Sequence, residues 1–74
     1  MPHVHIQHFP KDFTEEERQR LAESLTEVVT RHFGVSDGAV SVALEPVDQS
    51  AWNETVYGPG ITERRHLLIK HPSY

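Results

Sequence analysis

The sequence contains no cysteine, so no disulfide can staple the fold, and small disulfide-rich secreted domains are excluded. No apolar run exceeds three residues, which excludes a transmembrane helix. The chain opens without a charged segment followed by an apolar stretch, so we expect no signal peptide and a cytoplasmic location. Positive charge is scarce: 7 Lys and Arg against 11 Asp and Glu give a net charge of −4, too acidic for non-specific binding to nucleic acid.

The 74 residues suffice for one small domain spanning residues 1–74. A hydrophobic content of 36% is too high for a disordered chain. A domain of this size buries only about 60% of the surface that its unfolded chain exposes, and so needs support from a metal, unusually good packing or a partner subunit. We expect a partner subunit.

Apolar and polar residues alternate over residues 3–9 and again over residues 39–45, which predicts two strands. Each segment is followed by a proline, Pro10 and Pro46, which would end the strand.

Between the strands, apolar residues recur at helical spacing over about residues 15–33. Thr14 and Glu17 have the spacing of a capping box, and Gly34 stands where a left-handed C-cap is wanted. Strand, helix and strand predict an α+β fold built on a β-α-β unit, whose strands should be parallel with a right-handed crossover.

The sequence after the second predicted strand shows a less regular pattern of apolar and polar residues. Residues 46–60 predict irregular structure with one short helical turn around residues 48–52, and Gly-Pro-Gly at residues 58–60 predicts a break. Residues 61–70 fit a short helix, while residues 67–69 could equally form a short strand, and both alternatives stay open.

Two strands and one helix leave one sheet face uncovered, and a two-stranded sheet is not independently stable. Joining two copies would give a four-stranded sheet and cover that face. We therefore expect a homo-oligomer, most simply a dimer, with a trimer of dimers as the alternative.

The dipeptide Met1-Pro2 carries the most chemistry. Initiator methionine is normally trimmed before a small residue such as proline, which would leave Pro2 with a free secondary amine. Burial or nearby positive charge would lower the pKa of that amine, and a base poised near neutral pH suits general base catalysis. If Met1 stays, the same nitrogen is an amide without basicity.

Pro2 leads directly into a strand, a capped helix and a second strand. Further residues stand at characteristic places along the chain: Pro2-His3-Val4 with Ile6, Phe9-Pro10-Lys11, Arg31-His32, Val40 to Leu44, Ser50-Ala51-Trp52, and the tail Leu67 to Lys70 with Pro72 and Tyr74. In the order and spacing of these residues, the chain resembles the tautomerase superfamily over nearly its whole length, and within it the 4-oxalocrotonate tautomerase-like members. The likeness is greatest to the small dimeric bacterial subgroup with phenylpyruvate-type keto–enol tautomerase activity.

The resemblance implies a cofactor-free isomerase in which Pro2 moves a proton between the enol and keto forms of a 2-oxo acid. It also implies that Trp52 lines the mouth of the pocket and that Lys11 lies near a loop position that often carries a substrate-binding arginine. Ser41 stands where many members carry another arginine, which argues against a substrate with two carboxylates and for an aryl pyruvate.

A substrate carboxylate and a developing enolate need cationic or hydrogen-bonding partners. The candidates are Lys11, Lys70, Arg64 and Arg65; the alternative for the two arginines is an ordinary solvated helix face. Phe9 is a candidate substrate wall, with a place in the core or interface as the alternative.

Six histidines raise the question of a metal. His3 and His5 would share one strand face, but two ligands make neither a structural nor a catalytic zinc site, so we expect no metal. The competing functional hypothesis is a non-enzymatic ligand-binding or dimerisation module with the same fold. The mass of the purified protein separates the two, because retained Met1 favours the module.

Overall fold

The computed structural model describes all 74 residues, from Met1 to Tyr74. Strand β1 (His3–His8) is followed by helix α1 (Glu15–Phe33) and strand β2 (Ser41–Pro46). The strands pair in parallel, with His3 opposite Ser41 and His8 opposite Pro46. The predicted β-α-β unit is confirmed.

Helix α1 has the predicted bounds because both of its ends are capped. The Glu17 N–H donates to the Thr14 hydroxyl at 3.1 Å, and the Thr14 N–H donates to the Glu17 carboxylate at 2.9 Å. At the other end Gly34 adopts φ 66° and ψ 40°, and its N–H donates to the Thr30 carbonyl at 2.9 Å. Only a residue without Cβ takes this left-handed conformation without strain, so glycine ends the helix here.

The bounds of both strands differ from the predicted ones by one or two residues. β2 begins at Ser41 instead of residue 39, because Asp37–Ala39 forms a 3₁₀ turn in which the Val40 N–H donates to the Asp37 carbonyl at 3.2 Å. β1 ends at His8, one residue early. The predicted turn after β2 is confirmed as a 3₁₀ turn at Gln49–Ala51.

The prediction of a break at residues 58–60 is wrong, because these residues lie within a π-helix, Asn53–Thr62. A Cβ on Gly58 would lie 3.1 Å from the Asn53 carbonyl oxygen, so the glycine allows this wide turn to close instead of interrupting it. For residues 61–70, neither the short helix nor the strand forms. The π-helix ends at Thr62, a 3₁₀ turn occupies Arg65–Leu67, and the chain is irregular from Leu68 onward.

The two sheet faces differ in chemistry. Val4, Ile6, Val42 and Leu44 are half-buried on the face that carries α1. The opposite face is polar: His3 bonds Ser41 at 2.6 Å, and both His5 and Gln7 bond the Glu45 carboxylate, at 2.8 and 3.2 Å. His3 and His5 therefore lie on the open face as predicted, but that face satisfies its own polar groups and does not require an apolar cover.

A single chain has almost no core. Only Val47 and Val56 are buried, at 6% and 7% exposure, and α1 buries none of its residues completely. A cavity of about 200 Å³ remains between α1 and β2. Close packing is the norm in folded interiors, so the missing core, more than the open face, indicates a partner subunit.

No helix of the structure combines the length and the apolar character needed to span a membrane. The cytoplasmic location stays a prediction.

Candidate active site

Strand pairing fixes the start of the chain. The Ser41 N–H donates to the Pro2 carbonyl at 3.2 Å, so the pairing of β1 with β2 extends one residue before β1. Pro2 is half-buried, whereas Met1 is fully exposed beyond it. The Pro2 nitrogen therefore has a defined position. Met1, which precedes Pro2, is not packed against the rest of the chain.

An aromatic pocket lies at the other end of β1. Its volume is about 560 Å³, and its lining combines three aromatic rings with polar groups: Gln7, His8, Phe9, Trp52, Asn53 and Tyr74. The Phe9 and Trp52 rings meet edge to face, with centroids 4.9 Å apart and planes at 83°. A concave, mostly apolar surface with a few polar groups is the usual composition of a small-molecule site.

The segment after β2 places Trp52 in this pocket. The buried Val47 donates its N–H to the His8 carbonyl at 2.7 Å, which holds the segment against the end of β1. Asp48 then caps the 3₁₀ turn by accepting the Ser50 N–H at 3.3 Å. Hydrogen bonds from the Ser50 hydroxyl and N–H lower the pKa of Asp48 below its ordinary value, so the cap is ionised at neutral pH. Trp52 follows directly and turns back toward Phe9.

His8 contributes a polar edge to the pocket. Its Nδ1 lies 2.7 Å from the Phe9 carbonyl oxygen. A carbonyl only accepts, so Nδ1 carries a proton and Nε2 is the ring nitrogen left for other partners. The ring packs edge-on against Phe13, with centroids 5.9 Å apart.

Pro2 and the aromatic pocket do not meet within one chain. Pro2 precedes β1 and Phe9 follows it, and seven residues at about 3.3 Å each separate them by about 23 Å. The structure thus brings Phe9 and Trp52 together and leaves Pro2 at the opposite end of the strand.

The predicted cations are distributed around the surface. Lys11 follows the aromatic end of β1, with Nζ 4.9 Å from the centroid of the Phe13 ring. Arg64, Arg65 and Lys70 are exposed, and none of the four forms a salt bridge or lines the aromatic pocket.

The histidines of the open face are engaged with neighbours. Within the chain, no group of three or more metal-ligating side chains comes together.

Sequence reasoning assigned no site role to four of the residues that line the pocket: Gln7, His8, Asn53 and Tyr74. Tyr74 lies in the irregular segment at the end of the chain, and its main-chain oxygen accepts a hydrogen bond from the hydroxyl of Tyr57, 17 positions earlier. No periodicity connects such positions. Gln7 and His8 carried a weak signal, because they end the strand that leads to Phe9.

Comparison with known proteins gives a consistent answer. The family model described as tautomerase enzyme matches residues 2–64. Tautomerase PptA of Enterobacter sp. (strain 638) is 43% identical over all 74 residues, and that of Pectobacterium carotovorum subsp. carotovorum (strain PC1) is 40% identical. Tautomerase PptA of Escherichia coli O139:H28 is 32% identical. Each alignment covers 100% of this chain and 97% of the relative.

Proposed function

Because this chain belongs to the tautomerase family and is therefore an isomerase, we propose that it interconverts the enol and keto forms of an aryl-substituted 2-oxo acid, with Pro2 as the acid–base group. The observation that carries the substrate class is the aromatic pocket, in which Phe9, Trp52 and Tyr74 offer apolar ring surface. The observation that supports Pro2 is its fixed, half-buried position behind an accessible Met1.

The proposed chemistry is a transfer of one proton between two atoms of the same substrate. After Met1 is removed, the neutral Pro2 amine takes the proton from the enol hydroxyl or from the carbon next to the ketone. The resulting prolinium returns a proton to the other atom, so the enzyme is regenerated and no oxidant or cofactor is consumed.

We propose further that the site is shared between two protomers. Antiparallel pairing of two β1 edges about a two-fold axis would complete a four-stranded sheet, and it would place Pro2 of one protomer beside the partner's Phe9 and the partner's Trp52. Two observations support this arrangement: Pro2 and the pocket lie at opposite ends of β1, and a single chain buries only two residues.

Ser41, which pairs with Pro2 at the start of the sheet, supplies no second cation to the shared site. A diacid therefore gains little, while an aryl ring gains contact with Phe9 and Trp52. We expect kcat/KM for phenylenolpyruvate to exceed that for 2-hydroxymuconate. A clear preference for the diacid would contradict the proposed substrate class.

The substrate carboxylate needs one cation, and Lys11 is the best placed of the candidates. It is two residues from Phe9, at the pocket end of β1, and it forms no salt bridge. Alanine variants of Lys11, Lys70, Arg64 and Arg65, assayed in parallel, identify the anchor: its loss should raise KM, whereas the other three variants should keep KM within about two-fold of the parent.

The role of Pro2 is tested by comparing three proteins. Pro2→Ala keeps a primary amine that is less rigidly placed, and we expect its kcat/KM to fall roughly 100-fold. Protein made with the methionine aminopeptidase inhibited retains Met1, as its mass verifies, and should be less active still, because the Pro2 nitrogen is then an amide. Activity of the trimmed protein should rise with pH as the amine deprotonates.

One outcome would contradict the role of Pro2 as the base. If the Met1-retained protein is folded, dimeric in sedimentation and as active as the trimmed form, Pro2 is not the base.

A further inference from the structure

A tyrosine pair links the last segment of the chain to the π-helix. Residues 68–74 form no helix or strand, and Ile69 is fully exposed. Tyr74 nevertheless has a defined partner: the Tyr57 hydroxyl donates to the Tyr74 carbonyl at 3.3 Å, and the two rings lie 5.7 Å apart at 38°. This is the only side-chain hydrogen bond that involves the segment, in which Leu68 and Pro72 are also half-buried.

Tyr57 is itself well anchored. It belongs to the π-helix Asn53–Thr62 and is half-buried next to Val56, one of the two buried residues. The tyrosine pair therefore ties a loosely packed tail to a packed element. We call Tyr57 and Tyr74 together the tyrosine clamp.

The clamp delivers the Tyr74 side chain to the aromatic pocket. Tyr74 lines that pocket although 68% of the residue is exposed, as does Phe9, which is 47% exposed. The Phe9 and Trp52 rings contact each other. The Tyr74 ring contacts Tyr57 and neither of these two rings, so it offers the pocket a separate aromatic surface. A planar ring entering the pocket would gain a wall there, and a flexible alkyl chain would gain less.

We propose that the tyrosine clamp determines ring selectivity: Tyr74 contacts the aryl group of the ligand, and Tyr57 is the positioning residue that holds Tyr74 in place. The inference rests on the proposed function for the class of ligand. Its own content is that selectivity between aryl and alkyl acids resides in a tail of the chain, outside the β-α-β unit.

Binding is measurable without turnover, because Trp52 is the only tryptophan and lies in the pocket. Quenching of its fluorescence is titrated with 3-phenylpropionate and with hexanoate, two carboxylic acids that lack a 2-oxo group and so cannot undergo enol–keto conversion. The variants are Tyr74→Ala, Tyr74→Phe and Tyr57→Phe. Ser73→Ala is the matched control, since it changes the same exposed segment without touching the pocket lining.

For Tyr74→Ala we expect affinity for 3-phenylpropionate to fall about five-fold, the scale of one aromatic contact, with hexanoate changed less than about two-fold. Tyr74→Phe keeps the ring and should bind as the parent does. Tyr57→Phe removes only the hydroxyl that holds the tail, and should lose about two- to three-fold for the aryl acid. In turnover of phenylenolpyruvate, both effects should fall on KM and leave kcat unchanged.

Three results overturn the clamp. One is a parent protein that does not discriminate between the two acids. The second is a Tyr74→Ala variant that loses affinity for both acids equally, and the third is a Tyr74→Ala variant that loses affinity for neither. If Tyr74→Ala does not fold, as judged by circular dichroism, Tyr57→Phe and Tyr74→Leu answer the same question.

The failures of the clamp and of the proposed function are distinguishable. Clamp-dependent binding of 3-phenylpropionate without turnover of phenylenolpyruvate contradicts the proposed function and leaves the clamp. Turnover with unchanged selectivity in Tyr74→Ala contradicts the clamp and leaves the proposed function.

Discussion

If the active site is shared between two protomers, mixing two impaired variants should restore activity once they exchange protomers and form mixed dimers. One variant, Pro2→Ala, lacks the base but keeps its pocket, and the other, Trp52→Ala, lacks a pocket wall but keeps its base. In a mixed dimer, one site combines the intact Pro2 of one protomer with the partner's Trp52, and the other site combines both defects. The prediction follows from the separation of about 23 Å between Pro2 and Phe9 along β1.

The size of the effect follows from counting sites. Equal amounts of freely exchanging protomers give about one half mixed dimers, each with one intact site of two, so about one quarter of wild-type activity should return. Without exchange, the same mixture should show about one twentieth, if the base is worth roughly 100-fold and the indole wall about 10-fold at low substrate. Exchange should therefore raise the rate about five-fold.

The assay is the initial rate of enol-to-keto conversion at a substrate concentration below KM. It is measured before and after the mixture is dissociated and reassembled. Sedimentation verifies that dimers are present at both points. The reciprocal control mixes wild type with a Pro2→Ala, Trp52→Ala double variant: each mixed dimer then has one defect per site, so exchange should lower the rate by about half.

The reasoning is refuted if exchange leaves both mixtures at their starting rates while sedimentation shows dimers. Each Pro2 would then use the pocket of its own chain, and the arrangement of β1 described here would be wrong. A folded, active 8.5 kDa monomer would refute it as directly.

The remaining predictions concern the ends of α1, measured by urea unfolding at fixed protein concentration. Thr14→Ala should cost about 1 kcal/mol, because the hydrogen bond from the Glu17 N–H to the Thr14 hydroxyl is lost, and an unchanged midpoint would contradict the cap. Hydrogen bonds from the Thr14 N–H and hydroxyl, with a smaller effect of Lys11, lower the pKa of Glu17 below its ordinary 4.5. Ionised Glu17 therefore adds to the free energy of unfolding above pH 4.5, and this addition is lost as the pH falls through the lowered pKa. The free energy of unfolding of Glu17→Gln should lack this part of the pH dependence. Gly34→Ala should cost about 1 kcal/mol through its positive φ alone, since no atom lies within 4 Å of the added Cβ, and Gly34→Asn should cost less.

The sequence alone was sufficient for the features that depend on neighbours in the chain. Helix α1 has its predicted bounds because Thr14, Glu17 and Gly34 act through hydrogen bonds and backbone angles within a few residues of each helix end. The strands followed from alternation, with ends displaced by one or two residues; at the start of β2 a local 3₁₀ turn takes the place of the strand. The family resemblance made Trp52 a candidate site residue, and the place of Phe9 next to the first strand made it another; the structure brings these two rings together.

Only the tertiary structure decided the rest. Gly-Pro-Gly at residues 58–60 has the local signature of a break, yet packing around Val56 and the close approach of Gly58 to Asn53 hold it in a π-helix. Tyr74 enters the pocket through a hydrogen bond to Tyr57, 17 residues away. These features depend on contacts between segments that are distant in the chain, and such contacts leave no periodic pattern in the sequence.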